Sequence, residues 1–248
     1  MKDNEYSKMQ KGFYDEKVAR YKDEWIEIIA KSVWDKGEGN YHPVGDIKGL
    51  NAFFKDCDFL FSRLKNSQEK IALDFGCGLG RNIALYSDIF KRIDGVDISD
   101  KNINLCRAIA KSRNYNSVFY NCNGYDLSDI EDEIYDVIMS FITLQHISVH
   151  EIRLSYLKEF NRVLKPGALL EIQMGFGASK TANPVSYYEN CYEAASTNGF
   201  WDVVIDDPDL ILKDLKKPGF KDLEYRIVTP AGFSNIDDQF IFVTGVKK

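Results

Sequence analysis

The stretch Ile71-Ala72-Leu73-Asp74-Phe75-Gly76-Cys77-Gly78-Leu79-Gly80-Arg81 decides the fold. Ile71 to Leu73 is a short apolar run of the kind that a parallel strand covered on both faces requires, and Leu79 to Leu85 opens an amphipathic helix. Between them stand three glycines. Lacking Cβ atoms, they admit positive φ in the turn and let a ligand lie against the backbone, while free N–H groups at the helix start favour negative charge. Taken alone, the same turn also serves as an ordinary tight strand-to-helix connection.

Downstream, Arg92-Ile93-Asp94-Gly95-Val96-Asp97-Ile98-Ser99 reads as a second short strand ending in a carboxylate. Asp97 follows Gly76 by 21 residues, close to the interval of about 20 that places an acid on ribose hydroxyls in doubly wound folds. Asp97 or Ser99 also suits the cap of a helix beginning near Asp100, and capping by Ser99 is compatible with binding by Asp97. The glycine spacing is Gly-x-Gly-x-Gly, whereas dinucleotide-binding turns carry Gly-x-Gly-x-x-Gly. With Asp74 before the first glycine, Leu73 to Arg81 closely resembles the first motif of class I S-adenosylmethionine (SAM)-dependent methyltransferases.

Three later passages, in the same order, resemble that family. After a helix over Asp100 to Arg113 and a third strand over Ser117 to Asn121 comes Cys122-Asn123-Gly124; the family often has Asp where Asn123 stands. A fourth strand, Tyr135 to Phe141, leads into Leu144-Gln145-His146-Ile147, similar to a segment that in small-molecule methyltransferases lines the gap between cofactor and acceptor. A helix over about 149–164 ends in Arg162-Val163-Leu164-Lys165-Pro166-Gly167, where Pro and Gly are expected to stop it and turn the chain into a fifth strand, Ala168 to Met174. The resemblance covers about residues 70–174. It implies a doubly wound α/β sheet of seven strands, mostly parallel with an antiparallel last strand, and SAM as cofactor. It assigns Asp74, Gly76, Cys77, Gly78 and Gly80 to the turn around the methionine part. Asp97 goes to the ribose with Ile98 beside it, Asn123 and Gly124 to adenine, and the Phe141 backbone to the methionine amino group. His146 is the candidate general base, with a histidine bonded to local backbone as its alternative; His150 is expected on the surface.

Composition narrows the partners. The 248 residues, with 44% hydrophobic and 28% charged side chains, suit one catalytic domain. A net charge of −6 argues against nucleic acid, whose binding rests on phosphate neutralisation by Lys and Arg. Five scattered cysteines without a Cys-x-x-Cys pair suggest reduced thiols and no metal site. No signal peptide or run of about 18 apolar residues is visible, so neither a membrane partner nor any location but the cytoplasm is expected. Oligomeric state cannot be read.

Two flanking regions complete the expectations. Residues 1–66 read as a helical N-terminal extension or lid, with Tyr6, Met9, Phe13, Tyr14, Val18, Tyr21 and Trp25 at helical intervals, and residues 67–248 as the SAM-binding domain. Packing on the core is expected to explain most of these aromatics; the glycine-rich segment 37–45 reads as a mobile connection that would let Tyr41 and His42 reach the site. A helix over about 47–65 follows. An insertion after the fifth strand, about residues 175–214, holds Tyr187, Tyr188, Tyr192, Phe200 and Trp201, either as an acceptor pocket or as a packed subdomain. Two last strands, Phe220 to Val228 and Gln239 to Val246, form a terminal hairpin. Without a motif of nucleic-acid methylation, the expected substrate is a small polar molecule, preferably a hydroxyl of a sugar or nucleotide-linked sugar destined for surface polysaccharide. The alternatives are another small N- or O-acceptor, a non-catalytic SAM-binding regulator, and an NAD-dependent oxidoreductase.

Overall fold

The structure is a computed structural model that describes residues 2–19, 62–179, 184–193, 203–229 and 237–248. Tyr21, Trp25, Tyr41, His42, Cys57, Phe200, Trp201 and most of the expected helix over 47–65 lie outside the described residues.

Seven strands form one sheet in the spatial order β3-β2-β1-β4-β5-β9-β8. In chain order the elements are α1 (Lys2–Ala19), β1 (Ile71–Phe75), α2 (Arg81–Tyr86), β2 (Arg92–Asp97), α3 (Asp100–Ser112), β3 (Phe119–Asn121), β4 (Tyr135–Ser140) and α4 (His150–Val163). Then follow β5 (Leu164–Ser179), β6 (Val185–Ser186), β7 (Val203–Val204), α5 (Pro208–Lys216), β8 (Phe220–Val228) and β9 (Asp237–Lys247). Strands β1 to β5 pair in parallel, and β9 runs antiparallel to both β5 and β8. The order reverses between β1 and β4, so their carboxyl ends open a crevice where ligands bind in open α/β sheets.

Both faces of the sheet are covered, which is why its central strands are almost wholly apolar. On one face Leu73, Phe75, Ile138, Leu170 and Ile172 pack with Tyr156 and Phe160 of α4 and with Ile211 and Leu215 of α5. On the other, Ala72, Val137, Met139, Leu169 and Phe242 meet Ile83 of α2 and Ile103 and Cys106 of α3. The Phe160 ring lies 4.9 Å from that of Phe75 and is fully buried, so Phe160→Ala is expected to cost about 3–5 kcal/mol.

Two elements differ from the expectation. The helix before β5 passes directly into strand at Leu164; Lys165-Pro166-Gly167 does not turn the chain but bulges out between the Tyr135–Leu164 and Val137–Leu169 pairs. Pro has no N–H for the ladder and Gly167 takes φ +77°, so the two residues leave the pairing without ending the strand. Within 175–214, β5 continues to Ser179 beside β9, and β6 and β7 make a separate two-stranded sheet before α5. Among the described residues no helix is long and apolar enough to cross a membrane.

Candidate active site

The glycine turn joins β1 to α2 at the crevice. Gly76 and Cys77 both donate their N–H to the Val96 carbonyl, tying the turn to β2. The glycines have different tasks. At Gly76 (φ +74°) a Cβ would lie 2.7 Å from the Thr143 Cβ, so this position lets the loop after β4 close against the turn. At Gly78 (φ +51°) a Cβ would meet nothing within 4 Å, and the backbone there faces open space. Gly80 precedes α2 at φ +81°. Cys77 lies beneath the turn, its thiol raised in pKa by a hydrogen bond with Cys106 and by burial, so it is a packing group and not a nucleophile.

Two buried carboxylates flank this turn, and their surroundings differ. Asp74, in β1, accepts a 3.0 Å hydrogen bond from Asn82 on Oδ1, while its buried Oδ2 has no partner. Burial pushes its pKa up to about 6, with Asn82 and Arg81 opposing the shift. A buried acceptor left unpaired is costly, and a cationic donor beside it would relieve that cost. Asp97, at the end of β2, accepts from the Ser99 N–H at 2.8 Å on Oδ1 and from the Gly78 N–H at 2.9 Å on Oδ2. Burial raises its pKa too, and these two N–H groups hold it back. The Asn102 side-chain amide also donates to Oδ1 at 3.3 Å; a carboxylate has about four lone-pair sites, so Asp97 retains capacity for one further donor, on Oδ2. Ser99 caps α3 by accepting from the Asn102 N–H, and its own hydroxyl donates to Asp15 of α1 at 2.6 Å.

The turn after β3 is held by the side chain of Asn123. Asn123 is exposed, and its Oδ1 accepts from the N–H groups of Tyr125 (3.0 Å) and Asp126 (2.9 Å), while its Nδ2 donates to Asp126. Both oxygen lone pairs are therefore committed to the local turn, a bonding pattern Asn favours in loops. Gly124 (φ +94°) is buried against Ile98 and α1.

Across the crevice, Phe141 follows β4, with its ring 6.3 Å from that of Phe242 in the core and its carbonyl accepting from the Thr143 hydroxyl. Ile142 follows at φ +54°, a strained conformation for a β-branched residue that costs of order 1–3 kcal/mol. It is held by a 2.7 Å bond from its N–H to Gln173 Oε1 in β5, whose Nε2 is buried without a partner. His146 is half-buried in the short 3-10 turn Leu144–His146; its N–H donates to the Thr143 carbonyl, and its carbonyl accepts from Gln10 of α1 at 3.1 Å. The imidazole is thus mounted on a backbone pinned from both sides.

His150 is not a surface residue. Its Nε2 lies 2.6 Å from Asp214 of α5, and the side chain is 12% exposed. Lys217 completes that ion cluster at 2.8 Å from Asp214, and the Tyr188 ring stands edge-on to the imidazole at 4.9 Å. Arg153, buried, donates to the carbonyls of Ile147 and Tyr187 and so clamps segment 184–193 onto the start of α4. That segment also reaches α1: Ser148 donates to the Cys191 carbonyl at 2.8 Å, the Ser148 N–H donates to the Tyr6 hydroxyl at 2.9 Å, and Tyr192 stands edge-on to Tyr6 at 6.0 Å. Gln10, Ser148 and Gln173 were not singled out from the sequence, and Tyr6 was read only as one of the aromatics spaced along the N-terminal helix. Of the first three only Gln173 left a signal, as a polar residue within an apolar strand.

The structure therefore brings Asp74, Gly76, Gly78, Asp97, Ile98, Gly124, Phe141 and His146 to one edge of the sheet, with α1 and segment 184–193 along its rim. Residues 73–172 match a protein-family model described as a methyltransferase domain. Among curated proteins none matches the chain. Among solved structures, a SAM-dependent methyltransferase from Methanosarcina mazei is similar at 19% identity, over 76% of this chain and 96% of that one, with a TM-score of 0.57. A Haemonchus contortus phosphoethanolamine N-methyltransferase, bound to phosphomonomethylethanolamine and S-adenosylhomocysteine, is similar at 19% identity over 96% of this chain and 60% of its own, with a TM-score of 0.63. A SAM-dependent methyltransferase from Thermotoga maritima, described as a possible histamine N-methyltransferase, aligns at 17% identity over 96% of this chain and all of its own (100%), with a TM-score of 0.56. At these identities the likeness is one of fold. Residues 73–172 thus match a methyltransferase-domain model, and the seven-stranded sheet around them has the fold of SAM-dependent methyltransferases of known structure.

Proposed function

We propose that the protein transfers a methyl group from SAM to a small polar acceptor. The carrying observation is the pair of buried carboxylates at the glycine turn: Asp74, with an unpartnered oxygen, and Asp97, which accepts from two backbone N–H groups and the Asn102 amide and has one acceptor site left on Oδ2. This donor set fits SAM. Asp74 Oδ2 takes the ammonium of the methionine part, Asp97 Oδ2 takes a ribose hydroxyl, and the open backbone face of Gly78 lies against the chain between them. When bound, SAM supplies a methyl group already activated on a sulfonium.

The protein's own task is then alignment, exclusion of water and removal of a proton from the acceptor. His146 is the base, an imidazole nitrogen accepting the proton of an acceptor hydroxyl as the new O–CH3 bond forms. The preferred acceptor is a hydroxyl of a sugar or nucleotide-linked sugar. A small amine is the second reading, favoured by the acceptors named for the Haemonchus contortus and Thermotoga maritima relatives; an amine offering its lone pair makes less use of a base.

Calorimetry with S-adenosylhomocysteine, with NADH as control, tests the cofactor. Binding of the former alone supports the reading; binding of NADH alone overturns it. Screening sugar nucleotides and small amines with methyl-labelled SAM then identifies the acceptor. Transfer to none of them, with S-adenosylhomocysteine still bound, points to a SAM-binding regulator.

A further inference from the structure

We infer that Ser7 of α1 binds the adenine of the cofactor through its hydroxyl. The inference rests on the reading of the crevice as a SAM site and extends it to an element outside the matched residues 73–172. Ser7 is 4% exposed, and its Oγ has no hydrogen-bond partner. A serine inside a helix commonly bonds back to the carbonyl one turn earlier; this one does not. A buried hydroxyl without a partner costs about 1–3 kcal/mol, so its retention calls for a partner that arrives from outside.

The place of Ser7 says which partner. A Cβ built on Gly124 would lie 2.5 Å from the Ser7 Cβ and 3.0 Å from Ile98 Cδ1. Gly124 is thus the point at which α1, the residue after Asp97 and the turn after β3 converge. A nucleoside whose ribose is held by Asp97 brings the edge of its base to this junction. That edge carries an amino donor and ring-nitrogen acceptors, and a hydroxyl, which both donates and accepts, serves either. The Asn123 oxygen does not compete for the amino donor, because the local turn takes both its lone pairs.

Ser7 is also held in place without using its own hydroxyl. Tyr6 beside it bonds to Ser148, and Asp15, farther along the helix, accepts from the Ser99 hydroxyl and the Lys101 N–H. Lys11 reaches Asp100 at 2.5 Å and Asp15 at 3.0 Å. Anchors on both sides of Ser7 fix α1 across the end of β2, so the hydroxyl, which lies against Gly124, is held at this junction with little further cost in ordering.

Ser7→Ala in the full chain tests this through two readouts. Calorimetry with S-adenosylhomocysteine is expected to show Kd raised about fivefold to tenfold, the loss of one hydrogen bond. Thermal unfolding without ligand is expected to show Tm unchanged or raised, because the substitution breaks no bond and removes an unpaired hydroxyl. A Tm lowered by several degrees without ligand would make Ser7 a structural residue, and an unchanged or lowered Kd would remove it from the adenine site; each overturns the inference. Failure of the unsubstituted protein to bind S-adenosylhomocysteine overturns instead the reading of the crevice itself.

Discussion

The two sides of the crevice are built in different ways. On the cofactor side, the ties that hold the glycine turn between β1 and β2 are short in sequence: Gly78 bonds to Asp97 at a separation of 19 residues, Asn82 to Asp74 at 8, and Ser99 to Asp97 at 2. On the opposite side, Tyr6 meets Ser148 across 142 residues, Gln10 meets His146 across 136, and Ser148 meets Cys191 across 43. The first side is fixed once two adjacent strands pair. The second exists only after the N-terminal helix and segment 184–193 have docked on the finished sheet, and it is the side expected to loosen first when the protein opens locally.

The largest expected effect isolates the far side. His146→Ala should lower kcat by about 10²- to 10⁴-fold with a hydroxyl acceptor and leave S-adenosylhomocysteine affinity within a few-fold. A rate that hardly changes would take the base away from this side. On the near side, Asp97→Ala removes the acceptor of the Gly78 and Ser99 N–H groups together with the proposed ribose contact, and should weaken S-adenosylhomocysteine about 100-fold by calorimetry. Affinity within a few-fold of the parent would refute the ribose assignment.

A pH titration sharpens the comparison further, since the near side carries a titrating carboxylate. Asp74 has its folded pKa raised to about 6, above an unfolded value of about 3.9. The folded state therefore holds the proton more tightly, and this group makes the unliganded protein lose stability as pH rises from about 4 to about 6, by a few kcal/mol at most. Ligand binding has the opposite sign: the ammonium selects the ionised carboxylate, so S-adenosylhomocysteine affinity should rise through the same window. Asp74→Asn should flatten this contribution to both slopes; slopes unchanged in the variant would assign them to another group. The smallest effect belongs to the far side. Tyr6→Phe removes the acceptor of the Ser148 N–H and should cost about 1–3 kcal/mol in denaturant unfolding, with acceptor KM raised more than S-adenosylhomocysteine Kd.

Much of the near side was legible in the chain because its chemistry and its geometry are both local. The apolar run before Gly76, the spacing to Asp97 and the cap at Ser99 each predict their own structure, and β8 spans Phe220–Val228 as the alternating pattern indicates. Other features depended on competition between bonds. Asn123 has the chemistry to meet a base, yet two N–H groups in its own turn claim its oxygen. His150 reads as a surface residue at a helix start, but Asp214, 64 residues away, draws it into a buried pair. Pro166 and Gly167 read as a stop, while the sheet accommodates them as a bulge.

What the sequence alone determined is the order of strands and helices, the glycine turn and the acids beside it, because hydrophobic period, positive φ and capping are properties of residues within a few positions of one another. What only the tertiary structure decided is which polar atoms are left for a ligand. Hydrogen-bonding capacity is written in the residue type, but whether it is spent depends on what folding brings within about 3 Å: Asp74 Oδ2 and Ser7 Oγ are buried and left unpaired, whereas the Asn123 oxygen is already committed.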